Sequence, residues 1–200
     1  MANWLVVGLG NPGPTYSSHR HNVGYLVVDE LARRAGVRFS RSLTLRAETA
    51  QTRITAPGGI GAVGADADQV VLLKSRTYMN ESGIAVSKAA SYFKTAADHL
   101  VVVHDELDLD FGRIRLKFGG GDNGHNGLKS IRRHLGTGDF FRARYGVGRP
   151  PGRQDAADYV LSPFPSALSE DVAVEVSRCA DAVESLLTLG LDATQTRFNS

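Results

Sequence analysis

Short runs of consecutive apolar residues alternate with helix-periodic segments along this chain. Residues 4–9, 69–74 and 99–104 read WLVVGL, QVVLLK and HLVVVH, and such runs are typical of strands covered on both faces. Further strand candidates are residues 112–118 and 142–148, with a weaker one at 45–55. Strands that alternate with helices in a chain of 200 residues predict a single three-layer α/β domain over residues 1–200.

The helical segments between the strands have recognisable ends. Apolar residues recur every three or four positions over 23–31, 84–93 and 125–136, and the first of these helices is expected to end near Gly36. Ser166 is expected to cap a long last helix that stops at Gly190. The glycine-rich residues 56–68 are expected to form a flexible loop or a hairpin tip.

Composition excludes several classes of protein. With 42% hydrophobic and 22% charged residues the chain can build a core, so a disordered protein is excluded. No stretch approaches the roughly 20 apolar residues of a membrane span, and the first residues read as a strand rather than a signal peptide. The single cysteine, Cys179, excludes an internal disulfide and is expected to be a buried thiol, which favours a reducing, cytoplasmic location.

Charge is distributed unevenly. The formal net charge is only +2, but residues 111–153 hold ten basic and two acidic residues, whereas residues 154–200 hold two basic and eight acidic ones. A basic middle segment with glycine-rich turns indicates either contact with a polyanion or a solvated surface balanced by the acidic end.

Residues 8–13, GLGNPG, follow a strand and match the pattern of a dinucleotide-binding loop, G-x-G-x-x-G. In that loop the helix must begin inside the motif, so that its first N–H groups face a pyrophosphate. Here Pro12 removes one N–H, Pro14 keeps Gly13 out of the helical region, and the helix begins only near Asn22. The context therefore argues against a dinucleotide site.

Polar residues follow the ends of four predicted strands. They are Asn11, Asn80, Asp105 and Asn126, and His21 comes shortly after the first of them. Because ligands of open α/β sheets collect at the carboxyl ends of strands, we expect these side chains to share one site.

A histidine beside a carboxylate can act as a general base. Asp105 would fix the tautomer of His21 and stabilise its protonated form. Ser17 and Ser18 lack the context of a nucleophile, so the pair points to direct activation of water. The acidic run after His104 offers a weak alternative, a metal site, but no second cluster of ligands is evident and we expect none.

The remaining polar residues suit substrate binding. The amides of Asn11, Asn80 and Asn126 can both donate and accept hydrogen bonds, although each alone also fits a turn or a helix cap. Lys117 and Arg144 flank the glycine-rich residues 119–127 and suit phosphate contacts. Three further arginines widen this patch or are simply solvated: Arg132, Arg133 and Arg142.

Five segments together resemble the bacterial peptidyl-tRNA hydrolase family. They are VVGLGNPGPTY with HRHNVGY (6–16 and 19–25), YMNESG (78–83), HDELDLDFGRIRLKFGGGDNGHNGLKSI (104–131), FRARYGVGRPPG (141–152) and TQTRFN (194–199). They run in the family's order and extend over nearly the whole chain. The resemblance implies a monomeric enzyme, without metal or other cofactor, in which helices surround a twisted mixed sheet.

The resemblance also implies a reaction and a role for each matching residue. The enzyme would cleave the ester between a peptide and the 3′ ribose of tRNA, with His21 as the proton acceptor and Asp105 as its partner. Asn11 would distinguish N-blocked peptidyl-tRNA from free aminoacyl-tRNA. Tyr16, Tyr78, Asn80 and Asn126 would bind substrate, and Lys117 and Arg144 would clamp the 5′ phosphate of the tRNA.

Four positions depart from the family's usual residues, namely His19, Asp122, Asn123, and Tyr78 in place of phenylalanine. Asp122 would place a negative charge in a loop expected to bind RNA. Two other functions stay open from the sequence: a non-catalytic RNA-binding member of this fold, and an oxidoreductase that rests only on GLGNPG.

Overall fold

The computed structural model describes residues 1–199, and these residues form eight strands in one sheet. The strands are β1 (Asn3–Gly8), β2 (Ser40–Ser42), β3 (Ala47–Thr55), β4 (Gly59–Ile60), β5 (Asp68–Ser75), β6 (Leu100–Glu106), β7 (Ile114–Phe118) and β8 (Phe141–Gly146). The helices are α1 (Val23–Ala35), α2 (Ser82–Tyr92), α3 (Asn126–Leu135), α4 (Ala156–Val160), α5 (Ser169–Leu189) and α6 (Leu191–Phe198).

The sheet is mixed. Its strand order is β2-β3-β5-β1-β6-β8-β7, with β4 paired to β3. The four central strands β5, β1, β6 and β8 are parallel, whereas β2, β3, β4 and β7 run antiparallel to the strands they pair with. The carboxyl ends of the parallel strands therefore meet at one edge. This edge was predicted for four strand ends, and the prediction is wrong for β7, the strand that precedes Asn126, because β7 runs antiparallel to β8.

Helices cover both faces of the sheet. In β1, Val6 faces an apolar cluster beneath α1, α5 and α6, while its neighbours Leu5 and Val7 face a second cluster beneath α2 and α3. All seven residues of β6 are buried. Burial on both faces explains the uninterrupted apolar runs, and the predicted α/β fold is confirmed.

The predicted elements are present, with shifted ends and three additions. The helix α1 ends at Ala35, and Gly36 has a left-handed φ of 67°. The expectation for Ser166 is wrong: it begins a 3-10 turn, and α5 starts at Ser169 without a side-chain cap. Gly190 does end α5, but α6 follows at once. The elements β2, α4 and α6 were not expected from the sequence because they are short or lack a clear apolar period.

Residues 56–68 contain β4 and form the tip of a hairpin with β3, where Ile60 N donates to Glu184 Oε1 at 2.7 Å. Cys179 is fully buried, as expected, and burial raises the pKa of its thiol to about 12. Among the described residues no helix is long and apolar enough to cross a membrane.

Candidate active site

A cavity of about 500 Å³ lies at the carboxyl edge of the parallel strands. Six of the residues predicted for the site line it: Asn11, His21, Tyr78, Asn80, Asp105 and Asn126. The structure therefore brings together residues that lie as far apart as positions 11 and 126 in the chain. Tyr16, Lys117 and Arg144 lie outside this lining.

Two glycines set the distance between β1 and the helix that follows it. A Cβ added to Gly8 would lie 2.2 Å from the carbonyl oxygen of Gly24, and one added to Gly24 would lie 2.4 Å from Val103 O. The backbones of β1, β6 and α1 thus touch directly, which places the turn Arg20–Asn22 over the strand ends. In GLGNPG, the first glycine serves this close approach.

Asn11 is held so that only its amide N–H₂ group is free to bind a ligand. Asn22 Oδ1 accepts from Asn11 N at 3.0 Å, and Asn22 Nδ2 donates to Asn11 O at 2.9 Å. The side-chain oxygen Asn11 Oδ1 accepts from Met79 N at 2.7 Å. Asn11 Nδ2 has no hydrogen-bond partner among residues 1–199, and Asn11 lines the cavity. The buried Asn22 was not singled out from the sequence.

His21 and Asp105 are in contact, as predicted. His21 Nδ1 lies 2.9 Å from each oxygen of the Asp105 carboxylate, and both residues are buried. Because a carboxylate only accepts, Nδ1 carries the proton and Nε2 keeps its lone pair. Burial alone would raise the pKa of Asp105, but the imidazoles of His21 and His125 outweigh it and hold that pKa well below its usual range.

His125 is a second imidazole on the same carboxylate, whereas the sequence predicts only that position 125 begins the helical segment 125–136. Its Nε2 lies 2.9 Å from Asp105 Oδ1. Its Nδ1 accepts from the backbone N–H groups of Gly127 and Leu128, at 3.1 and 3.4 Å, as the N-cap of α3. The signal in the sequence was a histidine in the N-cap position, where Ser, Thr, Asp or Asn is usual.

His104 bonds to the backbone of Asp105. Its Nδ1–H donates to the backbone oxygen of Asp105 at 2.8 Å, and its ring lies edge-on to that of His125 with 5.1 Å between centroids. Burial, with a smaller contribution from His125, lowers the pKa of His104 to about 3. The ring is therefore neutral at pH 7.

His21, Asp105 and His125 bring three potential metal-ligand atoms within 4.8 Å of one another. The expectation that no second group of ligands approaches Asp105 is therefore wrong. The hydrogen bonds nevertheless disfavour a metal. A neutral imidazole that binds a metal through Nε2 carries its proton on Nδ1, but two backbone N–H groups already point at Nδ1 of His125.

Arg144 and Lys117 lie beyond the cavity and differ in their partners. Arg144 donates to Glu106 Oε1 from Nε and Nη2, at 3.1 and 2.8 Å, and Asn123 Nδ2 donates to the other Glu106 oxygen at 2.9 Å. Lys117 forms no ion pair with the part of the chain that the structure describes. Burial, and then the nearby charges of Arg144 and Arg142, lower the pKa of Lys117.

The interpretation of Arg142 as a surface cation is wrong. Its side chain is fully buried and donates to the backbone oxygens of Gly120, Gly121 and Gly138, with distances of 2.8 Å to Gly120 and 3.2 Å to Gly138. Arg142 therefore fixes the glycine-rich loop to β8. Burial, which is the main cause, lowers the pKa of its guanidinium.

The charge of Asp122 is neutralised within the loop. Asp122 Oδ2 accepts from Arg132 Nη1 at 3.0 Å, and Asp122 Oδ1 accepts from Gly124 N at 3.0 Å. Asp122 thus stabilises the loop, and the charge of Arg132 is paired with that of Asp122.

Two tyrosines stand at the rim of the cavity. The rings of Tyr16 and Tyr78 meet edge to face with 6.2 Å between centroids, and Tyr78 is exposed. On the opposite wall, Val160 and Leu161 line the cavity. Arg20, not singled out from the sequence, ties that wall to the turn before α1 by donating to Ser162 O at 3.2 Å and Pro163 O at 2.9 Å.

Comparisons with known proteins agree with this geometry. The family model described as peptidyl-tRNA hydrolase matches residues 5–200. The peptidyl-tRNA hydrolase of Cutibacterium acnes is 60% identical over 99% of this chain and 98% of its own, and that of Streptomyces coelicolor is 49% identical over 100% and 96%. The crystal structure of peptidyl-tRNA hydrolase from Acinetobacter baumannii has 31% identity and a TM-score of 0.86, covering 98% of this chain and 94% of that one. The chain belongs to the peptidyl-tRNA hydrolase family.

Proposed function

We propose that the protein hydrolyses the ester between an N-blocked peptide and the 3′ ribose of tRNA, using water activated by His21. One observation carries this proposal. The lone pair of His21 Nε2, fixed by the bond from Nδ1 to Asp105, and the free Nδ2 group of Asn11 belong to residues that line the same cavity. A base and an amide donor at one cavity suit hydrolysis of an acyl ester.

The chemistry follows from the tautomer. His21 Nε2 takes a proton from water as the water oxygen bonds to the ester carbonyl carbon, and Asp105 stabilises the imidazolium that forms. The tetrahedral intermediate then collapses, the bond between carbon and the ribose 3′ oxygen breaks, and His21 returns its proton to that oxygen. The cavity lining within residues 1–199 includes no Ser, Thr or Cys, which supports water as the nucleophile.

Asn11 can select the blocked substrate. Because its oxygen is occupied by Met79 N, it offers the ligand only an N–H donor. An N-acyl carbonyl accepts from that donor, whereas the ammonium of a free aminoacyl group would meet it donor to donor. Asn80 and Asn126 provide further amides at the same cavity for the peptide backbone.

The tRNA would lie against Tyr16, Tyr78, Lys117 and Arg144, with the two cations on its 5′ phosphate. Of these two cations, Lys117 forms no ion pair within residues 1–199, so it supports this role most directly. We also propose that residues 1–200 act as one domain, as a cytoplasmic monomer without a metal. The tautomer of His125 supports the absence of a metal.

The proposal is tested by comparing hydrolysis of N-acetylaminoacyl-tRNA with that of unblocked aminoacyl-tRNA. The wild type should cleave the blocked substrate preferentially. The variant Asn11→Asp keeps an acceptor for Met79 N but replaces the donor by an oxygen, so the preference should shift toward the unblocked substrate. Asn3→Ala, at the exposed start of β1, is the control. A wild type that cleaves neither substrate would disprove the function, and an unchanged preference in Asn11→Asp would disprove the role of Asn11.

A further inference from the structure

His125 is held at both ring nitrogens, which determines where its proton lies. Two backbone N–H groups of α3 point at Nδ1, so that nitrogen is the acceptor. The proton therefore sits on Nε2 and is donated to Asp105 Oδ1. A continuous series of hydrogen bonds runs from the N-terminus of α3 through His125 to Asp105 and on to His21.

The carboxylate of Asp105 thus serves two donors at once. Its Oδ1 lies 2.9 Å from both His21 Nδ1 and His125 Nε2. A donor that stabilises the anion also reduces the negative charge available to the other imidazole. The share taken by His125 therefore affects how readily His21 holds a proton.

Resting on the function proposed above, we propose that His125 is a positioning residue that moderates the charge which Asp105 presents to His21. It keeps the carboxylate oriented and prevents it from holding His21 in the protonated form, in which His21 cannot accept a proton from water. The helix N-terminus takes part because it fixes the tautomer of His125.

Other charges around this carboxylate do not take over that role. His104 is neutral and bonds to the backbone of Asp105 rather than to its side chain. Glu106 is occupied by Arg144 and Asn123. Of the two cations of β8, Arg142 bonds to loop carbonyls and Arg144 to Glu106. The charged groups that shift the pKa of Asp105 are His21 and His125, whereas His125, Asp105 and Arg142 act on the pKa of His104.

Two substitutions separate the two bonds of His125. His125→Asn places an oxygen near the position of Nδ1, so it still caps α3, but its side chain is too short to reach Asp105. His125→Gln places an amide N–H near the position of Nε2, so it still donates to Asp105, but it loses the cap. His99→Asn, on the partly exposed turn before β6, is the control for replacing a histidine.

The measurements are the pH profile of kcat/KM with N-acetylaminoacyl-tRNA and the Tm. In His125→Asn the Tm should be retained and the acidic limb should move to higher pH by roughly half to one unit. In His125→Gln the limb should stay in place and the Tm should fall by about 2–4 °C. Limbs that move equally in both variants, or in neither, would overturn the proposal.

A second readout does not depend on turnover. In protein with ¹⁵N-labelled histidine and no substrate, NMR should find Nε2 of His125 protonated and Nδ1 unprotonated. The titration of His21 should move to higher pH in His125→Asn. If His125 instead carries its proton on Nδ1, this inference fails while the proposed hydrolysis stands. If the tautomer and the shift are found but no substrate is cleaved, the inference stands and the proposed function fails.

Discussion

Two regions of the molecule use their polar side chains in opposite ways. In the imidazole cluster (His21, His104, Asp105 and His125), hydrogen bonds engage one ring nitrogen of His21, one of His104 and both of His125, and the Nε2 lone pair of His21 stays free within residues 1–199. In the cationic edge (Lys117, Arg132, Arg142, Arg144 and Arg149), most side chains form ion pairs or hydrogen bonds with the protein itself. In that edge, the number of basic residues overstates the charge available to a phosphate, because only Lys117 among its members lacks a partner within residues 1–199.

The largest effect is expected from breaking the imidazole cluster at its carboxylate. Asp105→Asn should lower kcat by about 10²- to 10⁴-fold, because an amide neither stabilises the imidazolium nor enforces the tautomer of His21. Steady-state hydrolysis of N-acetylaminoacyl-tRNA measures this loss. Asp110→Asn, an exposed neighbour, should hydrolyse like the wild type. An Asp105→Asn enzyme with nearly full kcat would remove Asp105 from the mechanism.

The next effect concerns stability in the cationic edge. Arg142→Met leaves three backbone carbonyls without their donor, which should lower the free energy of unfolding by roughly 2–4 kcal/mol. Urea denaturation compares this variant with Arg133→Met, an exposed arginine of α3 that should change stability little. If Arg142→Met were as stable as the wild type, Arg142 would not be the anchor of the loop.

A smaller effect should distinguish free from internally paired cations. Lys117→Ala should weaken tRNA binding and reduce the slope of log K against log salt by about 0.7–0.9, the value of one phosphate contact. Arg132→Ala removes a cation already paired with Asp122, so its slope should stay at the wild-type value. Titrations of tRNA at several salt concentrations measure both slopes. Equal slopes in the two variants would show that an internal ion pair does not decide which cation binds a tRNA phosphate.

A further prediction concerns the pH dependence of stability that His104 causes. The pKa of His104 is about 3 in the folded chain and 6.5 as its ordinary value, so between these pH values only the unfolded chain binds the proton. Stability should therefore fall as pH drops from 6.5 toward 3, with a slope from this group of at most about 1.4 kcal/mol per pH unit. His104→Gln should flatten the curve of unfolding free energy against pH, while His99→Gln should not. Parallel curves for His104→Gln and the wild type would contradict the neutral buried ring.

The contrast between the regions also explains what could be predicted from the sequence. Asn11 and Asp105 were accessible because apolar runs mark the parallel strands, and the carboxyl ends of such strands must meet at one edge. The α/β fold followed from the same pattern. His21 came from its position just after the first of these ends.

The features that could not be predicted depend on the direction in which side chains point rather than on the positions of residues in the chain. Arg142 was taken for a surface residue, but the backbone of Gly120, Gly121 and Gly138 lies against its guanidinium and helps to bury it. The bond from His125 to Asp105 depends on which way a loop residue turns at the start of α3. Likewise, the clamp of Asn22 on Asn11 requires the close approach of β1 and α1 at Gly8 and Gly24, which no local pattern indicates.

The most direct test of the account is single-turnover hydrolysis of N-acetylaminoacyl-tRNA by His21→Ala, with tRNA affinity measured on the same protein. The account predicts a rate lower by about 10²- to 10⁴-fold with unchanged affinity, because His21 supplies the base while the binding surface lies elsewhere. Hydrolysis at nearly the wild-type rate would contradict the account.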